Sequence, residues 1–242
     1  MHNPLEQFEI SHIVPMNIGG LDVSITNSAL FMVLVVLVSS AFLILGMRRG
    51  SLVPGRWQSM SELTYEFIAS MLTDNVGTEA RKYFPFVFSV FIFVLVANLL
   101  GMVPYAFTVT SHIIVTFTLA MIVFLLVTLV GFIRNGAHFL KLFVPSDVPW
   151  YILPLLVVIE VVSYLTRPIS LSVRLFANMM AGHTMLKLFG GFVVMLGALA
   201  GWAPWLFIVA LSAMEVGIAM LQAYVFTILT CIYLNDAFHP SH

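Results

Sequence analysis

Residues 148–190 read VPWYILPLLVVIEVVSYLTRPISLSVRLFANMMAGHTMLKLFG, and this apolar run is too long for one upright membrane crossing. About 40 residues of helix measure roughly 60 Å, twice the roughly 30 Å of a bilayer's hydrocarbon core. A second long run covers 203–236, and turn signals inside the first are scarce. We therefore expect a hairpin of two long tilted helices that turns near Gly190–Gly191 or Gly201–Pro204. Hydropathy alone also permits seven shorter spans.

Three further segments have the length and apolarity of a transmembrane helix. They are residues 27–48, 83–104 and 112–134. Residues 56–77 differ, because their apolar side chains recur at helical spacing with acidic side chains between them, which predicts an amphipathic helix lying on the inner membrane surface. With residues 1–26 as an outer segment, the sequence predicts an all-α integral membrane protein forming a single membrane domain, 1–242.

Composition excludes several classes of protein. The 242 residues are 61% hydrophobic and only 9% charged, against about 25% charged residues in a soluble domain. The net charge of −1 gives no electrostatic footprint for nucleic acid. The single cysteine, Cys231, excludes an internal disulfide, and the chain has no P-loop for nucleotide. We expect no metal site and no cofactor.

The basic residues predict an orientation in the membrane. Of ten lysines and arginines, seven fall in two segments: Arg48, Arg49, Arg56, Arg81 and Lys82 between the first two spans, and Arg134 and Lys141 after the third. The N-terminal segment and the 105–112 loop contain none. The positive-inside rule therefore predicts an N-terminus outside and a C-terminus inside.

The long runs carry ionisable and amide side chains where apolar ones are expected. Glu160, Arg167 and Arg174 are seven residues apart, so they share a helix face, and Asn178 follows Arg174 by four. His183 lies nine residues beyond Arg174 and thus points to roughly the opposite side. Glu215 and Gln222, again seven apart, share a face of the second helix. This pattern suits two aqueous routes that approach one permanent charge, Arg174, from opposite membrane faces.

Structural interpretations of the same residues stay open. Arg174 could form a salt bridge with Glu160 or Glu215, and His183 with Glu215 could be a pair that only joins the hairpin. Arg167 and Lys187 could snorkel to an interface, and Asn98 could be either a helix-packing hydrogen bond or a channel group. With histidine neutral, residues 148–190 and 192–234 hold three cations against two acids, which suggests that a further acid comes from another subunit.

At these residues the chain closely resembles the family of a subunits of the rotary F-type ATP synthase. The specific blocks are SLSVRLFANMMAGH (170–183), AMEVGIAMLQAY (213–224) and FTILTCIYL (226–234), and the N-terminal PLEQFEI (4–10) is typical of one branch. The resemblance runs essentially end to end. In some bacterial members the acid and the histidine of the 183 and 215 positions are exchanged, which supports contact between those positions.

The resemblance implies roles for each of these residues. Arg174 matches the essential arginine that separates two half-channels, and Glu160 the acid of the inner half-channel. The outer half-channel positions are Asn178, His183, Glu215 and Gln222. The resemblance also implies proton translocation coupled to ATP synthesis by a non-catalytic subunit. Its partners would be a c-ring carboxylate opposite Arg174, peripheral-stalk b subunits and lipid of an inner membrane, most simply a bacterial one.

Two other functions explain the sequence less well. A self-contained proton-coupled secondary transporter would favour internal repeats or paired broken helices, and neither is evident in the sequence. A non-transporting membrane scaffold would leave the buried Arg, His and Glu side chains without a reason.

Overall fold

The structure is a computed structural model that describes residues 12–14, 17–18, 21–22, 24–47, 54–103, 106–144 and 151–238. Six α-helices dominate these residues: α1 (Asn27–Met47), α2 (Arg56–Val76), α3 (Phe84–Gly101), α4 (Ile113–Asn135), α5 (Leu153–Ala200) and α6 (Trp202–Phe238). Short 3-10 helices cover Thr78–Tyr83, Val109–Ser111 and Gly136–Phe143. The predicted all-α membrane fold is confirmed, because five of the described helices are long and apolar enough to span a bilayer.

Four very short strands precede the first helix. β1 (His12–Val14) pairs antiparallel with β4 (Ile25–Thr26), and β2 (Asn17–Ile18) pairs antiparallel with β3 (Leu21–Asp22) inside that first pair. These strands fall in the predicted outer segment, whose secondary structure the sequence did not reveal. Residues 1–11 of that segment lie outside the described residues.

The core lies where α3, α4, α5 and α6 pack together. Its fully buried side chains include Val87, Val94, Leu171, Leu175 and Phe226. The outer surfaces of the same helices expose large apolar side chains, for example Leu125, Val158 and Val194. Such helices are apolar all round, as expected where the surroundings are hydrocarbon and not water.

The helix predicted over residues 56–77 is present as α2, and part of its apolar stripe packs against the other helices. The first half of its apolar stripe, Trp57, Met60 and Leu63, is exposed. The second half is buried against the other helices, with Ile68 and Leu72 almost fully covered. The placement of α2 on the inner membrane surface stays a prediction.

The long hairpin forms, and one of its predicted ends is wrong. Helix α5 continues through Gly190 and Gly191, beyond the expected end at residue 190, and stays helical up to a kink at Gly197. The residues before that kink measure about 65 Å along the helix axis. Two neighbouring glycines weaken a helix but do not break this one. The break comes at Gly197, whose φ of 60° and ψ of −163° only glycine adopts readily, and at Gly201 before α6. The second predicted turn position is therefore the correct one. Residues 148–150, where α5 was expected to begin, lie outside the described residues.

Candidate functional site

Helix α5 presents its polar side chains in two directions. Arg174 is exposed, whereas His183 is 9% exposed and faces the bundle. The nine residues between them correspond to two and a half helical turns, so the two side chains leave the helix on opposite sides. The exposure of Arg174 and the burial of His183 match the spacing argument.

His183 and Glu215 form the ionisable contact between α5 and α6. Their closest atoms, His183 Nδ1 and Glu215 Oε1, are 3.5 Å apart, and Glu215 is only 4% exposed. This distance is slightly longer than an ordinary hydrogen bond, and it lets a small movement pass a proton between the groups. The proximity expected from the resemblance is confirmed.

Gly182 makes room for that contact. A Cβ atom on residue 182 would lie 2.5 Å from Glu215 Oε1 and 3.0 Å from its Cδ. Real Cβ atoms are not found so close to another heavy atom. The Glu215 carboxyl group can therefore approach α5 only because residue 182 has no side chain.

Asn178 and Gln222 make a second polar contact, one level away along the hairpin. Asn178 Nδ2 donates to Gln222 Oε1 at 3.0 Å. Because α5 and α6 run antiparallel, residue numbers rise along one helix as they fall along the other. The contact of residue 178 with 222 is therefore followed along the pair by that of 183 with 215. Asn98 of α3 also contacts α6, because its Nδ2 donates to the backbone carbonyl of Ala219 at 3.4 Å.

Several buried polar atoms around these contacts have no hydrogen-bond partner among the described residues. They are both Glu215 oxygens, Gln222 Nε2, Asn98 Oδ1 and Thr110 Oγ1. Unpaired buried polar atoms are costly, and native proteins usually satisfy them with protein groups or ordered water. Their concentration in one region marks a polar interior that suits the passage of a hydrated proton.

A cavity of about 180 Å³ lies beside this cluster. Asn178, Gly182 and Glu215 line it together with apolar side chains such as Met185 and Leu211. A water molecule occupies roughly 30 Å³ of liquid volume, so the space is large enough for a few waters beside the Glu215 side chain. Both carboxyl oxygens of Glu215 are buried, so the cavity borders this side chain without exposing its carboxyl group.

Arg174 and Glu160 stand apart from the buried contacts. Among the described residues no carboxylate forms an ion pair with Arg174, so neither of the two proposed intrachain salt bridges is present. Tyr233 of α6 lies close enough to Arg174 to interact with its charge. Glu160 is half-buried on α5, about 21 Å along the helix axis from Arg174.

The first half of α5 and the last turns of α6 are joined by a contact that the sequence analysis missed. Arg167 Nη1 donates to Asp236 Oδ2 at 2.8 Å, and its guanidinium also lies over the rings of Tyr164 and Tyr233, 5.1 and 4.8 Å from their centroids. Arg167 does not snorkel freely but holds the hairpin together. A basic residue on α5 and an acid near the end of α6 were visible in the sequence, but their distance of 69 residues concealed the pairing.

Thr108 is a second residue that the sequence analysis missed. It lies in the connection between α3 and α4, is 4% exposed, and its Oγ1 is 3.1 Å from His183 Nε2. A threonine in a short loop has no distinctive sequence signal. Only the packing of the α3–α4 connection against α5 brings it to the histidine.

Comparisons with known proteins match this sequence over nearly its whole length. A family model described as ATP synthase A chain matches residues 29–235. The ATP synthase subunit a of Parvibaculum lavamentivorans is 58% identical over 246 residues, covering 99% of this chain and 95% of that protein. Those of Pelagibacter ubique and Mesorhizobium japonicum are 57% and 60% identical, and each alignment covers 99% of this chain and at least 98% of the relative.

Proposed function

This chain belongs to the ATP synthase A chain family, and from that premise we propose that it forms the stationary half of two offset proton half-channels against a rotating c-ring. The coarser function follows from the family and the helices. The chain is a multi-pass component of the membrane sector of the ATP synthase and serves proton transport. The two half-channels, the c-ring contact and the residue roles are the parts that we propose.

The observation that carries the proposal is the separation of Arg174 from the buried polar contacts. His183 with Glu215, and Asn178 with Gln222, face the interior of the hairpin, while Arg174 faces outward without an acidic partner among the described residues. A permanent cation inside hydrocarbon is costly unless it is paired. A carboxylate on a neighbouring subunit would supply that partner at the exposed face.

The outer half-channel consists of the buried polar residues between α5 and α6. A proton enters beside His183 and Glu215, whose side chains take and release protons readily. The amides of Asn178 and Gln222 order the path without titrating. The proton then passes to a carboxylate of the c-ring, which in its neutral form can move into lipid.

The inner half-channel begins at Glu160. A c-ring carboxylate that has travelled around the ring loses its proton there, and Arg174 favours the charged form at the interface. Arg174 cannot itself give up a proton at ordinary pH, so it separates the two routes. Each charge that crosses the membrane delivers about 2.3 kcal/mol per 100 mV, which the rotor uses for ATP synthesis elsewhere. This chain is therefore non-catalytic.

The partners and the orientation are also part of the proposal. The c-ring covers the exposed face of α5 and α6 around Arg174, and peripheral-stalk b subunits and lipid cover other apolar surfaces. The N-terminal segment lies outside the bacterial inner membrane and the C-terminus inside, because the loops rich in Lys and Arg stay inside.

The deciding experiment is Arg174→Ala in the assembled complex. ATP-driven acidification of inverted membrane vesicles should disappear, because the c-ring carboxylate loses its partner and the two routes are no longer separated. Arg56→Ala, which removes an exposed cation at the start of α2, should leave pumping unchanged. Normal pumping by Arg174→Ala would overturn the proposed mechanism and favour a self-contained transporter instead.

A further inference from the structure

The hydroxyl group of Thr108 has one hydrogen and two polar neighbours. Its Oγ1 is 3.2 Å from the carbonyl oxygen of Gly101 and 3.1 Å from His183 Nε2. The group is buried, so water does not compete freely for either contact. The direction of these two hydrogen bonds determines which nitrogen of His183 carries hydrogen.

The Gly101 carbonyl fixes that direction. A carbonyl oxygen only accepts, so the single Thr108 hydrogen must point to Gly101 if both contacts are hydrogen bonds. Gly101 is the last residue of α3, and carbonyls in the last turn of a helix have no partner within it. Thr108 satisfies this carbonyl, and its lone pair is then left to accept a hydrogen from His183 Nε2.

We propose that Thr108 is a positioning residue that holds neutral His183 in the tautomer with hydrogen on Nε2, so that the Nδ1 lone pair faces Glu215. Nδ1 lies 3.5 Å from Glu215 Oε1, and in this tautomer it is an acceptor. The hydrogen bond on one ring nitrogen thus determines what the other nitrogen can do. The consequence for transport rests on the proposed outer half-channel.

The tautomer makes Glu215 and His183 a site that stores one transferable proton. When Glu215 is protonated, its O–H bond breaks as an N–H bond forms at Nδ1, which gives a carboxylate and an imidazolium. The imidazolium keeps its Nε2–H bond to Thr108, and the reverse transfer restores two neutral groups. With hydrogen already on Nδ1, a neutral His183 could not accept the proton from Glu215.

The surroundings hold Thr108 in the required position. Ser111 Oγ donates to the backbone carbonyl of Thr108 at 2.6 Å, which anchors the loop. A Cβ atom on residue 101 would lie 2.7 Å from Thr108 Cγ2, so Thr108 can reach His183 only because α3 ends on a glycine. The loop and the helix end thus fit Thr108 specifically.

Two variants of Thr108 in the assembled complex test the transport consequence. Thr108→Val keeps the shape and removes the hydroxyl, so we expect vesicle proton pumping to slow roughly three- to tenfold, the scale of one lost buried hydrogen bond. Thr108→Ser restores the hydroxyl and should retain most of the rate. Co-purification of the chain with the rest of the complex shows whether each variant assembles.

A direct measurement of the tautomer keeps the inference testable if Thr108→Val does not assemble. Nitrogen NMR of the histidine-labelled native complex, with the His183 signal assigned by its loss in His183→Gln, should show hydrogen on Nε2. Hydrogen on Nδ1, or a wild-type pumping rate in assembled Thr108→Val, would overturn the inference. If Arg174→Ala keeps pumping, the proposed function fails, and the NMR result still decides the tautomer independently.

Discussion

Gly182 lies directly against the carboxyl group of Glu215, close enough that any side chain at residue 182 would displace it. The small residue and the acid belong to different long helices, 33 positions apart in the sequence. Their contact sets the distance between Glu215 and His183, because His183 follows Gly182 on α5. The chemistry of this site therefore depends on a residue that has no functional group.

Gly182→Ala should impair proton transport more than it impairs the fold. The added methyl group must push the Glu215 carboxyl group away from His183, and overpacking of this kind costs about 1–3 kcal/mol. We expect vesicle proton pumping to fall at least tenfold while most of the complex still assembles. Pumping is measured as ATP-driven acidification and assembly by co-purification.

The matched control is Gly190→Ala. Gly190 lies in the same helix, and a Cβ atom there meets nothing within 4 Å. Alanine favours the helix over glycine, so this variant should pump normally. Equal pumping by Gly182→Ala and Gly190→Ala would contradict the role given to the Gly182–Glu215 contact.

The sequence predicted the helices well because a bilayer demands long apolar segments. Segments 27–48 and 112–134 agree with α1 and α4 to within one residue at each end. The end of α5 was placed too early, because Gly190 and Gly191 resemble a turn while the break depends on the backbone of Gly197. The packing of α2 against α6 escaped prediction, because α6 is distant from it in the sequence.

The candidate site was predictable in part. A polar residue in an apolar run is conspicuous, so Arg174, His183 and Glu215 stood out by themselves. Thr108 and Asp236 lie in ordinary polar positions near helix ends, and only the tertiary fold gives them partners. Charge and hydropathy therefore identify isolated polar residues within apolar segments. The residues that contact and position them are identified only from the structure.

Arg167 and Asp236 should stabilise the end of the hairpin opposite its turn. Their side chains are 24% and 29% exposed, and two tyrosine rings flank the guanidinium. A sheltered pair with cation–π contacts is worth about 1–3 kcal/mol. We expect Arg167→Ala and Asp236→Ala each to lower the temperature at which this chain dissociates from the complex. The double variant should lower that temperature by less than the sum of the two single decreases.

The ion pair between Arg134 and Glu79 serves as the comparison. It joins α4 to the 3-10 helix before α3, but its side chains are 40% and 65% exposed. Exposed pairs contribute about 0–1 kcal/mol, so Glu79→Ala should change the dissociation temperature little. A larger effect from Glu79→Ala than from Asp236→Ala would refute this ranking.

Asn178 and Gln222 should behave as a coupled pair. Gln222 is 3% exposed, and the carbonyl of its amide accepts from Asn178 Nδ2 at 3.0 Å. Gln222→Leu leaves the Asn178 amide without that partner, at a cost of about 1–3 kcal/mol. The double variant Asn178→Leu/Gln222→Leu should be more stable than the sum of the two single effects predicts, although its pumping stays impaired. Strictly additive losses of stability would show that the hydrogen bond does not matter.

The proposed orientation predicts which cysteines a membrane-impermeable maleimide can reach. Arg81 is exposed in the 3-10 helix before α3, and Trp202 is 64% exposed at the turn of the hairpin. Arg81→Cys should react only in inverted vesicles and Trp202→Cys only in right-side-out ones. The native Cys231 is fully buried, so unmodified protein gives little background. Reaction of both cysteines from the same side would reject the hairpin topology, and the reversed pattern would reject the orientation that the basic loops predict.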